Sequence, residues 1–287
     1  MHTTKLGLLG LGSMGLGVAQ RLLDSGFDVT VYNRTKDKAT PAVQAGARLA
    51  DSVPDAVAET GIVLLSLADE TAVEQVLFGA ALSALRPGAI VVDCSTVSPQ
   101  FSRSATARLA AAGHARVEAC LVGNPLQARS GQLRVLTAGE SSDVEAVRPV
   151  LEAAGQELIY LGPAGMAATL KLVLNLLLGA QVASFVEAVS YGEKAGLDRE
   201  TLLTTITSTN GFTSEVMRFR ARFIQQQCYE PAAFRTALMA KDLRLALDDA
   251  AGLGMRMPVI ETTARRYDEA VTLGHGDCDT AVIMELQ

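Results

Sequence analysis

The 287-residue sequence has no tryptophan and only three histidines, His2, His114 and His275. Few imidazoles means few candidate metal ligands and few proton donors of the usual kind. His2 stands near the start and His114 in an Ala-Gly turn, so neither makes a convincing acid. The run His275-Gly276-Asp277-Cys278-Asp279 looks superficially like a metal site. Its glycines favour a turn with capping carboxylates, and no metal is expected. The four cysteines, Cys94, Cys120, Cys228 and Cys278, form no CxxC pair, which suits reduced thiols in a cytoplasmic protein. A formal net charge of −6 without a basic tract argues against nucleic acid as a partner. The opening residues carry no charged leader with an apolar core, so no secretory signal is expected. Low-complexity linkers and internal repeats are also missing.

One apolar run, Leu170 to Val189, approaches the length of a membrane span. It contains Lys171, Asn175, Gln181, Ser184 and Glu187, each costly in hydrocarbon. A helix buried within the protein is the better reading, and no membrane partner is expected.

Up to about residue 160, short β-rich runs alternate with alanine-rich helical patterns. The runs are Lys5–Leu9, Asp28–Tyr32, Ile62–Leu67, Ala89–Cys94, Val117–Leu121, Leu133–Thr137 and Glu157–Leu161. Helical spacing covers Met14–Ser25, Glu70–Leu77, Pro99–Ala112 and Val144–Ala154. Such alternation predicts an α/β domain with a doubly wound, largely parallel sheet. After Gly162 only helical patterns remain, near 164–192, 198–208, 213–226, 237–252 and 257–273, then a short final one. The division predicted is a nucleotide-binding domain over 1–162 and an all-α domain over 163–287, joined by one long helix.

Gly10-Leu11-Gly12-Ser13-Met14-Gly15 fits GxGxxG, directly after a strand and at the opening of a helix. Gly10 permits the tight turn, Gly12 lets the backbone approach a pyrophosphate, and Gly15 lets helix and strand lie close. The helix N-terminus presents free N–H groups to the phosphates. An NAD-preferring site would end the second strand with Asp or Glu. Here that strand ends Tyr32-Asn33-Arg34-Thr35, followed by Lys36 and Lys38. Asn33 removes a carboxylate that would repel a 2′-phosphate, Arg34 can clamp that phosphate and Thr35 can donate to it. The reading is NADP(H), with a solvated basic loop as the alternative. Leu67 and Ala68, at the end of the run Ile62–Leu67, are assigned to the cofactor as well.

Lys171 and Asn175 are four apart in the long apolar helix and share a face with Ala167 and Gly179. Small flanking residues leave room for a ligand. A lysine in apolar surroundings can have its pKa lowered into the working range of an acid–base catalyst. A snorkelling lysine at a helix end is the alternative. A second polar cluster, Asp93-Cys94-Ser95-Thr96-Val97-Ser98-Pro99, lies at the carboxyl end of the strand Ala89–Val92. Ligands of doubly wound sheets bind outside the carboxyl ends of strands, so Ser95 and Thr96 should face the nicotinamide pocket. Ser98 before Pro99 reads as a helix cap. Lys241-Asp242 alone is indistinguishable from a surface charge pair.

Together GLGSMG at 10–15, DCSTVSP at 93–99, GPAGMAATLKLVLN at 162–175 and AKDLRLAL at 240–247 resemble the β-hydroxyacid dehydrogenase family, the group of 3-hydroxyisobutyrate dehydrogenase. The likeness spans nearly the whole chain and implies a Rossmann domain followed by a helical one. It implies Lys171 as catalytic acid–base, Asn175 as a substrate-positioning residue, and Ser95 and Thr96 in contact with substrate and nicotinamide. It also implies that Lys241 reaches the cofactor, and that the protein is a homodimer or homotetramer built through the helical domain. Family members usually hold the substrate carboxylate with a serine and two glycines, where this chain has Val122, Gly123 and Asn124. The Gly123 amide can still donate there, and that of Asn124 is a second candidate. The lysine–asparagine form resembles glyoxylate and succinic semialdehyde reductases, implying a small carbonyl substrate. Imine reductases share the scaffold but usually replace the lysine. A non-catalytic cofactor-binding relative is the alternative of another class. Phe212 and Phe234 are further candidates for shaping specificity.

Overall fold

The computed structural model describes residues 4–287; His2 lies outside them. By internal contact the chain forms two compact units, the first ending at Lys171 and the second covering Leu172–Gln287.

The first unit is an eight-stranded sheet with helices on both faces. In chain order it runs β1 (Lys5–Leu9), α1 (Ser13–Asp24), β2 (Asp28–Tyr32), α2 (Thr40–Gln44), β3 (Arg48–Leu49), α3 (Val53–Val57) and β4 (Ile62–Leu65). There follow α4 (Glu70–Val73), which continues as π-helix over Glu74–Ala81, then β5 (Ile90–Asp93), α5 (Pro99–Ala111) and β6 (Ala115–Val122). The unit continues with α6 (Pro125–Ser130), β7 (Leu133–Ala138), α7 (Ser141–Ala154) and β8 (Gly155–Tyr160). Spatial order is β3-β2-β1-β4-β5-β6-β7-β8. Neighbours pair in parallel except β6 and β7, which are antiparallel. The segment between those two, 123–132, is shorter than the roughly dozen residues a parallel crossover needs, so the chain must turn back.

Strand periodicity sorts the core onto two faces. Leu6, Leu8, Val29, Val31 and Val117 pack with Val18 and Leu22 of α1 and Val147 and Leu151 of α7. On the other face Leu9, Val63, Leu65 and Val91 meet Val57, Leu77 and Leu109. Two differences from expectation have local causes. The pair Arg48–Leu49 of β3 is exposed at the sheet edge, so it carries no alternating apolar pattern. The run expected as strand to Leu67 leaves the sheet after Leu65, because the Leu67 N–H is taken by the Ser95 Oγ at 3.0 Å.

The second unit is helical. Helix α8 (Met166–Lys194) enters from the first unit, followed by α9 (Arg199–Ser208), α10 (Glu215–Gln226), α11 (Thr236–Gly252) and α12 (Pro258–Thr272). A final 3-10 segment covers Thr280–Leu286. Although α8 is long and apolar enough to cross a membrane by composition, its Val182, Phe185, Val186 and Val189 form the centre of this unit's core. They pack with Ile224, Met239, Leu243 and Tyr267. The Tyr267 hydroxyl donates to the Gly179 carbonyl at 3.1 Å, fastening α12 to α8.

Asp279, from the run that resembles a metal site, is a buried structural carboxylate. It pairs with buried Arg220 at 3.1 Å and accepts from the amides of Ala233, Phe234 and Ala281, each at 3.1 Å. Among the described residues no group of three or more His, Cys, Asp or Glu is placed to hold a metal ion. Asp279→Ala strands the buried guanidinium. The expected loss is about 3–5 kcal/mol of stability, read by chemical denaturation. A loss below about 1 kcal/mol would contradict the assignment.

Candidate active site

Strands β1, β2, β4, β5 and β6 are mutually parallel, so the segments that leave them emerge on one edge of the sheet. β1 lies between β2 and β4, and the strand order reverses there. Such a switch point is where open α/β sheets bind nucleotides.

The glycine turn occupies that point. Gly10 has φ of +102° and donates its N–H to the Tyr32 carbonyl at 2.9 Å. A Cβ on Gly10 would lie 2.3 Å from the Ser66 carbonyl oxygen, and one on Gly15 would lie 2.1 Å from that of Gly10. Gly12 differs. A Cβ there meets nothing within 4 Å, so its missing side chain leaves open space over the turn. Gly12 also caps α1 without any side-chain acceptor, and Ser13 beside it is exposed. The first amides of α1 therefore remain for an anion. An open cradle above an uncapped helix start fits the pyrophosphate of a dinucleotide.

Asn33 does more than omit a charge. Its Oδ1 accepts the Leu11 N–H at 2.8 Å and its Nδ2 donates to the Thr35 carbonyl at 2.8 Å. The carboxamide thus braces the glycine turn against the segment after β2, a task that needs one acceptor and one donor on a single side chain. Arg34 and Thr35 are exposed beside it. Lys36 is engaged by Asp51 at 2.9 Å, a contact that raises the lysine pKa and lowers that of the aspartate.

Leu67 and Ala68 follow β4, and Ser95 and Thr96 follow β5. Ser95 is buried; its N–H donates to Asp93 Oδ1 at 2.9 Å while its Oγ accepts from Leu67. That acceptor role uses a lone pair and not the hydroxyl proton. Thr96 is half-buried next to it. Ser98 caps α5 by accepting the Phe101 N–H at 3.1 Å, as its place before Pro99 predicts.

Lys171 lies at the end of β6, where its Nζ donates to the Leu121 carbonyl at 2.8 Å. The next residues are Val122, Gly123 and Asn124, so lysine and loop are brought together within the first unit. Asn124 caps α6 with a reciprocal box: its Oδ1 accepts from the Leu126 and Gln127 amides, and its own N–H donates to Gln127 Oε1 at 3.0 Å. This amide, a candidate donor to substrate, is thus engaged in the helix cap. Cys120, two residues before Val122, is buried. Burial, and next the Glu118 carboxylate, push its thiol up to about 12, against the opposing pull of Lys171.

In the second unit Asn175 is buried and donates from Nδ2 to Asp242 Oδ2 at 2.6 Å. Lys241 Nζ pairs with Asp242 Oδ1 at 2.9 Å. Asp242 is only 2% exposed, so this is not a surface charge pair. Its part in holding Asn175 escaped the sequence reading. A signal existed, because Asp242 falls at helical spacing with buried Met239, Leu243 and Ala246, an acid on an apolar stripe. Of the two specificity candidates, Phe234 packs partly into this unit's core, whereas Phe212 is 75% exposed.

Comparison with known proteins agrees with this geometry. The family model for the NAD-binding domain of 6-phosphogluconate dehydrogenase matches residues 5–162. That for the NAD-binding region of NADP-dependent 3-hydroxyisobutyrate dehydrogenase matches 165–286. Chloroplastic glyoxylate/succinic semialdehyde reductase 2 of Arabidopsis thaliana is 33% identical over 99% of this chain and 80% of its own length. The 3-hydroxyisobutyrate dehydrogenase of Mycobacterium tuberculosis, solved with L-serine, superposes with a TM-score of 0.87 at 28% identity, covering 99% of each chain. A reductive aminase from Aspergillus terreus, solved with NADPH and ethyl levulinate, gives a TM-score of 0.66 at 25% identity, again over 99% of each chain. The chain belongs to the β-hydroxyacid dehydrogenase family, the group of 3-hydroxyisobutyrate dehydrogenase, and is an NAD(P)-dependent oxidoreductase of the alcohol–carbonyl interconversion.

Proposed function

We propose that the protein is an NADPH-dependent reductase of a small aldehyde or keto acid, of the glyoxylate and succinic semialdehyde type, reversible as a hydroxyacid dehydrogenase. The observation that carries this reading is the Lys171 ammonium held 2.8 Å from the Leu121 carbonyl, at the mouth of the loop 122–124. A bound nicotinamide supplies hydride to the carbonyl carbon. Lys171 donates a proton from Nζ to the carbonyl oxygen as negative charge develops there, and the Leu121 carbonyl keeps the amine aimed. Ser95, Asn175 and the Gly123 amide orient the substrate, with Asp242 fixing the Asn175 carboxamide. Gly10, Leu11, Gly12, Ser13 and Met14 hold the pyrophosphate, Leu67, Ala68, Thr96 and Lys241 complete the cofactor contacts, and Arg34 and Thr35 take the 2′-phosphate.

A second reading, imine reduction, is favoured by Val122 and by the capped amide of Asn124, which weaken the loop as a carboxylate receptor. The similarity to the reductive aminase points the same way. Lys171 supports the carbonyl reading. NADPH oxidation measured with glyoxylate, succinic semialdehyde and cyclic imines decides between them.

A homodimer or homotetramer belongs to the same proposal. Helix α8 leaves Val173, Leu177 and Tyr191 exposed at 43%, 56% and 78%, an apolar stripe that a second copy can cover. Cytoplasmic residence is also proposed, on the four unpaired cysteines; recovery from another cell fraction removes it.

Three outcomes follow. Lys171→Ala lowers kcat by about 10²–10⁴ with NADPH affinity intact, and a loss under about tenfold removes its acid–base role. Arg34→Ala weakens NADPH by about 10- to 100-fold and NADH by little, measured by fluorescence titration; equal effects remove the preference for NADP. Sedimentation equilibrium returns a multiple of the chain mass, and a monomer at all concentrations excludes the oligomer.

A further inference from the structure

Beneath the loops of the first unit lies a cluster of three buried charged side chains on β5 and β6. Arg116 donates from Nη2 to Asp93 Oδ2 at 2.7 Å, and its Nη1 lies 3.7 Å from Glu118 Oε1. One guanidinium faces two carboxylates, which leaves a negative charge to be satisfied away from water. Glu118 finds the compensation in backbone. Its Oε1 accepts from the Gly165 amide, its Oε2 accepts from the Ala168 amide at 3.0 Å, and the Ser102 hydroxyl donates to Oε1 at 2.5 Å. Gly165 and Ala168 open α8, whose N-terminal end carries partial positive charge. The strand therefore caps a helix it does not belong to.

Lys171 follows Ala168 by three residues and projects from the next turn of the same helix face. Its partner Leu121 follows Glu118 by three residues on β6. Helix and strand are thus fastened at two successive points, carboxylate to amide and ammonium to carbonyl. The opposite end of the cluster holds Ser95, through Asp93 Oδ1. We propose that Glu118 is a positioning residue for Lys171: by pinning the first turn of α8 to β6 it sets where the ammonium stands. The catalytic consequence rests on the reading of Lys171 as the acid–base, but the placement itself does not.

Glu118→Gln turns one acceptor into a donor that opposes an amide N–H. The first measurement is reductive methylation of Lys171 in the full chain, followed by peptide mass with Lys38 and Lys241 as internal references. Lys171 labelling should accelerate about fivefold, the effect of losing a typical intramolecular hydrogen bond, while the references stay constant. Unchanged Lys171 labelling overturns the proposal whatever the activity. The second measurement is kcat for succinic semialdehyde per NADPH-binding site, so that any unfolded fraction drops out. Glu118→Gln should lower kcat on the order of 10- to 100-fold with KM nearly unchanged, the scale of a misplaced catalytic group. In the Lys171→Ala background it should cost nothing further, whereas multiplying losses would mean that Glu118 acts independently of the lysine. Full activity of Lys171→Ala instead removes the acid–base reading and leaves the labelling result standing. Should Glu118→Gln fail to fold, Ser102→Ala, which frees Oε1 from one donor, is read in the same way with smaller changes in the same directions.

Discussion

Parallel pairing buries both faces of a sheet, so a strand such as Ile90–Asp93 has little room for exposed polar groups along its length. Chemistry is pushed to the ends of the strands. In this protein the carboxyl ends of β1, β2, β4, β5 and β6 share one edge, and nearly every polar candidate of the first unit lies on it. The glycine turn, the Asn33 brace, the Ser95 link and the Lys171 contact are four consequences of that single constraint.

The charged groups that do enter the interior are paired with named partners, although Arg116 Nε itself has no hydrogen-bond acceptor. Asp93, Arg116 and Glu118 satisfy one another and the opening amides of α8. In the second unit Asp242 joins Asn175 to Lys241, and Asp279 joins Arg220 to three backbone amides. A buried carboxylate without such donors would be strongly unfavourable, so each cluster also fixes the relative placement of the elements that supply them. The groups offered to a ligand inherit this order: Ser95 is held through Asp93, and Asn175 through Asp242.

Several side chains carry a structural task that composition alone does not disclose. Asn33 was legible as the absence of a carboxylate, yet the hydrogen bond it accepts from the Leu11 amide appears only when β1 and β2 lie side by side. Asn124 was legible as a departure from a glycine, but the loss of its amide depends on Gln127 folding back one turn later. Glu118 was not singled out from the sequence, although with Arg116 two residues earlier it is one of two charged residues inside an otherwise apolar strand. Its partners at 165 and 168 are far away in sequence and are backbone groups, which every residue possesses.

Periodicity, the glycine motif and the change of pattern after Gly162 by themselves determined a doubly wound sheet followed by helices, because local spacing decides which face of an element can be buried. They also determined the phosphate-binding turn, since only glycine tolerates the approach of Ser66 to position 10. Tertiary structure alone decided the edge strand Arg48–Leu49, the end of β4 at Leu65 and the ring of donors around Glu118. Each of these depends on a partner distant in the chain, and a hydrogen bond across the fold leaves no period in the sequence.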